Sequence, residues 1–261
     1  MIRSPLSIRL DPAQPIRDQI RLAAEAGAKG IVVEATEELA PGRLSETGRR
    51  EIRHLCRSAE VTLAAVHLPT RRGFNTFDQI EDRLARADRA FGLAYDLGAR
   101  LVLVRGGAIP PANEGPGRAA FTTTIRELAS RAEHRGLRLA LETGTEPGDA
   151  LQVLLDELDL PNLAASIDPA YLLRNGFDPV AAVVALGPRV AHAYLHQAVG
   201  QPGPPDLGTR RTARSAASLD WESYFGSLEE VNYRGTMTIW PETTVGLFAQ
   251  YRRIAESLRS I

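Results

Sequence analysis

Four residues with metal-ligating side chains recur at comparable places along the chain: Glu142 in "LALET", Asp168 in "SIDPAYLL", His196 in "AYLHQ" and Glu242 in "TIWPETT". Each closes a short, mostly apolar run, the pattern of a buried strand ending at a functional edge. Carboxylates packed together repel and take up protons unless a cation holds them. Mixed oxygen and imidazole donors suit manganese, magnesium, cobalt or zinc, so the set reads as a site for one divalent cation whose identity the donors leave open. Taken singly, each residue also has a plainer reading. Asp168 before Pro169 is a helix N-cap followed by proline at the first helical position. Glu142 could be a capping or ion-paired carboxylate, and His196 a satisfied core histidine.

The elements that would bring these groups together repeat along the chain. Candidate strands cover 4–10, 30–35, 61–68, 100–107, 137–143, 163–168, 190–196 and 236–242. Between them run helical patterns such as "QIEDRLARADRAFGLAYDL" at 79–97, with apolar residues recurring at three and four. Gly27, Gly98, Gly136, Gly187 and Gly235 each separate a helical pattern from the next strand, where a left-handed residue is often required. Ser45 is a further expected N-cap. Eight strand–helix units in 261 residues predict an α/β fold, a single (β/α)8 TIM barrel over 1–261, ahead of a doubly wound sheet. No GxGxxG turn follows the first strand, and "RGGAIPP" at 105–111 is a weak phosphate loop that runs into prolines. In a barrel, strand C-terminal ends share one face, so the four ligand candidates would converge.

Composition narrows the classes. The net charge of −1 gives no excess of positive charge for nucleic acid or an anionic membrane. The single cysteine, Cys56, excludes an intramolecular disulfide and a cysteine-built zinc site, and its helical setting makes it a small core residue. No apolar leader stands in "MIRSPLSIRLD" and no apolar run approaches a membrane span, so the expected location is cytoplasmic. A homo-oligomer is compatible with the sequence. The stretch 197–218 is too long to be a bare connection and is expected to be a functional loop.

The motifs "LALETGTE", "SIDPAYLL", "AYLHQ", "SLDW" and "GTMTIWPETT", in that order, resemble the xylose isomerase-like TIM barrels, the sugar isomerase/epimerase superfamily. That group includes hydroxypyruvate isomerase, ketose 3-epimerases, inosose dehydratase and endonuclease IV. The resemblance covers essentially the whole chain and maps the family's metal set onto Glu142, Asp168, His196 and Glu242. It implies a divalent-metal-dependent isomerase or epimerase of a small sugar, keto-sugar or polyol, with Glu142 and Glu242 transferring protons. A dehydratase or lyase would use the same parts, and a barrel that has lost catalysis would serve as a ligand-binding or partner subunit. The endonuclease reading needs more histidines than the five present.

Two departures from the family pattern stand out. Tyr171 occupies the place, three residues after the aspartate, where many active members carry histidine. The epimerases' arginine beyond the metal histidine is missing from "QAVGQPGPPD", while Arg210 and Arg211 come later. Tyr171 is expected to offer a hydroxyl at the pocket rim, and Arg210, in "RRTAR", a clamp for phosphate or carboxylate. His67 and Glu34 end earlier strands and line the same face, each with an ordinary core or turn role as the alternative. Trp240 is a further pocket candidate, more simply packed on the barrel than stacked on a sugar. His192, deeper on the strand of His196, reads as structural; His54 and His134 fall on helical surfaces.

Overall fold

The computed structural model describes residues 4–196, 219–240 and 246–259. In chain order the elements are β1 (Leu6–Arg9), α1 (Ile16–Glu25), β2 (Gly30–Glu34), α2 (Glu46–Ser58), β3 (Thr62–Leu68), α3 (Ile80–Leu97), β4 (Leu101–Val104), α4 (Pro116–Glu133), β5 (Arg138–Glu142) and α5 (Gly148–Leu158). There follow β6 (Leu163–Ile167), α6 (Pro169–Arg174), α7 (Pro179–Leu186), β7 (Val190–Leu195), α8 (Trp221–Glu230), β8 (Met237–Ile239) and α9 (Leu247–Arg259). The eight strands pair in parallel in sequence order, and β8 closes on β1. This is the expected (β/α)8 barrel.

Alternation along the strands sorts side chains into two cores. Outward residues such as Ile8, Ile31, Val66, Leu139, Leu141 and Ile167 join the helices in the larger cluster. Inward residues Val32, Ala65, Leu103, Ala140, Ala164 and Tyr194 form the interior cluster. Three alanines in that set leave room inside the barrel for Tyr194, which is fully buried.

The helices bury one face each. On α3, Leu84, Ala87, Phe91 and Ala94 are buried at helical spacing, and burial of Leu84 or Phe91 is worth about 1.5–3 kcal/mol. The helix stops at Gly98, whose φ of 87° is the left-handed conformation expected there. Ser45 caps α2 as expected, its hydroxyl accepting from Gly48 N at 3.1 Å. Gly235 differs from its expectation: it has no left-handed φ, and Asn232 takes that conformation instead. What Gly235 supplies is space, since a Cβ there would come within 2.5 Å of the Tyr233 hydroxyl.

The strands are shorter than expected at their C-terminal ends. β4 ends at Val104 and β8 at Ile239, so Arg105–Gly107 and Trp240 lie beyond the ladder. Gly107, at φ 91°, cannot continue a strand. Cys56 is buried, as its helical setting implied, and burial pushes its thiol up to about 11. His54 and His134 are exposed on α2 and at the end of α4. Among the described residues, no helix is long and apolar enough to cross a membrane.

Candidate active site at the strand ends

The inward alternation that fills the barrel continues past it. One step beyond the interior layer, the eight strands present Arg9, Glu34, His67, Arg105, Glu142, Asp168, His196 and Trp240 in strand order. Every one is polar or aromatic, whereas the layer below is mostly small or apolar. At the C-terminal mouth of a (β/α)8 barrel, such a ring is the expected place for chemistry.

Glu142 is the hub. Its Oε2 is 3.2 Å from His67 Nε2 and 3.2 Å from Arg105 Nε, and its Oε1 accepts from the Tyr194 hydroxyl at 3.2 Å. Burial alone would raise its pKa; the His67 imidazole, then Arg105 and Arg9, outweigh burial and hold it well below the usual carboxylate range. Glu142 is therefore an ionised, buried acceptor.

Arg9 ties the opposite wall together. Its Nη1 donates to the Tyr194 hydroxyl at 2.8 Å, and its Nη2 reaches Glu34 Oε1 at 2.5 Å and His67 Nδ1 at 3.0 Å. Because Nη2 can only donate, His67 Nδ1 accepts and its Nε2 carries the hydrogen toward Glu142. The guanidinium also lies 3.7 Å over the Trp240 ring. Burial disfavours its charge, but Tyr194, Glu142 and Glu34 hold its pKa above the ordinary arginine value. Burial drives the Tyr194 hydroxyl well above its ordinary range, leaving it a fixed neutral donor.

Asp168 has two roles on its two oxygens. Oδ1 caps α6, accepting from Tyr171 N at 3.1 Å, and stands 3.0 Å from His196 Nδ1. The capping reading is thus correct but incomplete. Oδ2 is buried with no hydrogen-bond partner among the described residues, and the Arg105 Nη2 near it is at 3.9 Å. A buried carboxylate oxygen without a partner is costly unless a cation or proton donor meets it. His196 stacks on Trp240 with centroids 4.3 Å apart, so this tryptophan packs on a site residue.

Tyr171 lies at the rim, half-buried. The Arg105 guanidinium sits 4.4 Å over its ring. The ring also lies against Gly144, at φ 134°, where a Cβ would come 1.8 Å from Tyr171 Cδ1. Glycine in "ETGTE" is what lets this ring lie against the loop.

Of the expected site residues, Glu34, His67, Glu142, Asp168, His196, Trp240 and Tyr171 are brought to one mouth. Glu242, Arg210, Arg211 and the 197–218 loop lie outside the described residues. His192 is structural: fully buried, it bridges Ser166 Oγ at 2.9 Å and Thr238 Oγ1 at 2.7 Å. A register shift between β6 and β7 sets His192 opposite Ser166 and permits that bond. Arg9, Arg105 and Tyr194 were missed by sequence reasoning. Their signal was available as strand-end parity: each has the facing of a residue already singled out or of the interior layer.

The donor set fits a divalent cation in chemistry. Three carboxylates face two guanidiniums across this mouth, and Asp168 Oδ2 is a buried oxygen in want of a partner. Among the described residues, however, no three of His, Cys, Asp and Glu form a ready cage; Arg105 bridges Glu142 and Asp168.

The model of one family, described as "Xylose isomerase-like TIM barrel", matches residues 20–261. The chain belongs to that family. A curated relative, 3-dehydroshikimate dehydratase of Pseudomonas aeruginosa, is 29% identical over 186 residues, which is 69% of this chain and 28% of that protein's length. The chain thus spans under a third of that relative. Among solved structures, a xylose isomerase domain protein from Planctomyces limnophilus superposes with a TM-score of 0.82 at 18% identity, covering 99% of this chain and 96% of the other. D-psicose 3-epimerase from Clostridium cellulolyticum H10 gives 0.75 at 13% identity, with 98% and 99% covered. At those identities the structural likeness speaks for the barrel fold alone.

Proposed function

We propose that this family member is a divalent-metal-dependent isomerase or epimerase acting on a small sugar, keto-sugar or polyol. The observation that carries the reading is Asp168 Oδ2, a buried carboxylate oxygen beside Glu142 and His196 with no hydrogen-bond partner among the described residues. Glu142, Asp168, His196 and Glu242 would hold the ion. When bound, such an ion polarises vicinal oxygens of a sugar and acidifies the C–H bond between them.

The chain's own residues supply the rest. Glu142 is ionised and would accept the proton, with a basicity that His67 and Arg105 reduce, and Glu242 would act from the other side as its partner. Tyr194 and His67 fix the Glu142 carboxylate by two hydrogen bonds and thereby set its orientation. Tyr171 and Arg105 form a rim where a substrate hydroxyl or anionic group can be bound.

A second reading, a dehydratase on the same site, is favoured by the curated relative that is a 3-dehydroshikimate dehydratase. Proton abstraction beside a carbonyl begins both reactions, so the same base serves each. A screen of ketoses, aldoses, inososes and 3-dehydroshikimate with added manganese separates them. Isomerised product supports the first reading and an alkene or aromatic product the second. If no substrate turns over and manganese fails to bind, the barrel is a ligand-binding or partner subunit instead.

A further inference from the structure

The segment between β3 and α3 forms a pocket of about 230 Å³ on the same face of the barrel as the strand-end ring. Arg71, Arg72, Arg83 and Arg86 line it, with Thr70 and Gln79 as neutral donors, and no Asp or Glu is among the described residues lining it. Four like charges around one cavity repel each other, and structure alone gives no reason to collect them there.

The arginines are unequally occupied. Arg72 pairs with Asp78 at 3.0 Å, both side chains well exposed, so that pair is weak and readily exchanged. Arg83 is locked in place: Nη1 donates to the Asp78 carbonyl at 2.6 Å and Nη2 to the Thr76 carbonyl. Its Nε is buried with no hydrogen-bond partner among the described residues, which a native structure rarely tolerates. Among the described residues, the side chains of Arg71 and Arg86 make no ion pair or hydrogen bond. Gln79 holds a left-handed φ of 53° at the start of α3, a strained conformation for a non-glycine residue.

This pocket shares a wall with the strand-end ring. The Thr70 hydroxyl donates to the Arg105 carbonyl at 3.3 Å, and Phe74 N donates to the Gly106 carbonyl at 2.6 Å. Gly73 and Gly107 approach so closely that a Cβ on Gly73 would lie 2.4 Å from Gly107 Cα. The loop that carries the arginines is thus stapled to the segment that begins with Arg105.

We propose that the pocket between β3 and α3 binds a phosphate monoester or free phosphate dianion. A carboxylate would leave guanidiniums unneutralised; a tetrahedral dianion offers acceptors to Arg71, Arg86 and the readily exchanged Arg72 together. The binding needs neither the divalent ion nor turnover. That the phosphate arrives as part of the substrate, a sugar phosphate whose other end meets Glu142, rests on the function proposed above.

Calorimetric titration of the full chain with inorganic phosphate, at fixed ionic strength with EDTA present, tests the binding. Saturable binding is expected, weakened at least tenfold in Arg71→Gln/Arg86→Gln and unchanged in Arg89→Gln, an exposed change on α3 outside the pocket. Both substituted pocket residues are exposed, so the double variant keeps its fold. Absence of saturable binding, or equal affinity in the double variant, overturns the proposal. Fructose 6-phosphate and fructose, titrated with manganese present, identify the source. The phosphorylated sugar binding well above inorganic phosphate assigns the subsite to the substrate, and equal binding assigns it to a free anion. Because the phosphate titration is metal-free, its result stands apart from the fate of the metal reading.

Discussion

Arg105 Nε lies 3.2 Å from Glu142 Oε2, and the same guanidinium reaches to 3.9 Å from Asp168 Oδ2. A fixed positive charge thus sits between two carboxylates proposed to hold a divalent cation. Guanidinium and metal would compete for the same lone pairs, and the long, half-exposed side chain of Arg105 can swing out toward solvent. Arg105→Met is expected to bind manganese about tenfold more tightly than the native chain, equivalent to about 1.4 kcal/mol. Arg105→Lys, which keeps the charge without the fork, should fall between them. Paramagnetic titration of free manganese measures this. Equal or weaker binding by the methionine variant would show that Arg105 does not compete.

Glu142 and Asp168 should fail differently from rim residues. Glu142→Gln removes a proposed ligand and the proposed base, so turnover should fall by at least about a hundredfold. Asp168→Asn leaves the α6 cap, since an amide oxygen still accepts from Tyr171 N. Its manganese affinity should nevertheless collapse while its circular dichroism stays native. Retained manganese affinity in both variants would remove the proposed site.

Tyr171 is expected to act through position more than through protons. Tyr171→Phe keeps the ring under Arg105 and loses one neutral hydrogen bond, about 0.5–1.5 kcal/mol in substrate binding. Gly144→Ala should be worse, because its Cβ would strike the ring at 1.8 Å in a backbone conformation that disfavours any side chain. Substrate KM for the two variants checks the order. A phenylalanine variant weaker than the alanine variant would contradict it.

The eight strands and the facing of most site residues were legible, because strand parity and glycine stops are local properties. Glu34, His67, Glu142, Asp168 and His196 could be found as chemically capable residues ending apolar runs. Arg9 and Arg105 ended such runs equally, yet a search for metal ligands passes over arginine. Their roles depend on partners 25 and 37 positions away, which no local pattern encodes. The left-handed residue before β8 was assigned to Gly235 because glycine is the usual choice; Asn232 adopts it, and the Tyr233 ring explains the glycine instead. Similarly, His192 shows its structural purpose only once the β6–β7 register sets Ser166 opposite it.

His192 sets an acid limit on stability. Its imidazole is buried neutral between Ser166 and Thr238, and burial lowers its pKa from 6.5 to about 3. A depressed folded value means that its contribution is fully present above pH 6.5 and is lost as pH falls toward 3. Each unit in that window costs up to about 1.4 kcal/mol. Between pH 6.5 and 4.5, before most carboxylates titrate, the native chain should lose stability faster than His192→Gln. Urea unfolding at four pH values across this window measures the two slopes. Parallel slopes would mean that the imidazole is reached by protons in the folded state.

Arg9 is the residue whose loss the barrel should tolerate least. It supplies hydrogen bonds to Tyr194, Glu34 and His67 and covers the Trp240 ring, all from a side chain only 4% exposed. Arg9→Leu would leave the Glu34 carboxylate without its partner at 2.5 Å and free His67 Nδ1 from the donor that fixes its tautomer. Breaking a buried ion pair from one side costs about 3–5 kcal/mol, against a gain of only apolar contact with Trp240. The double change Arg9→Leu/Glu34→Leu removes both charges and should recover at least half of that loss, since no charge is then stranded. His67 would still lack its anchor, so its ring could turn and weaken the hold on Glu142. Urea unfolding of the single and double variants gives the stability terms. The sign of the coupling decides the matter: a double variant no more stable than Arg9→Leu alone would show that Arg9 matters through Tyr194 and His67 rather than through Glu34.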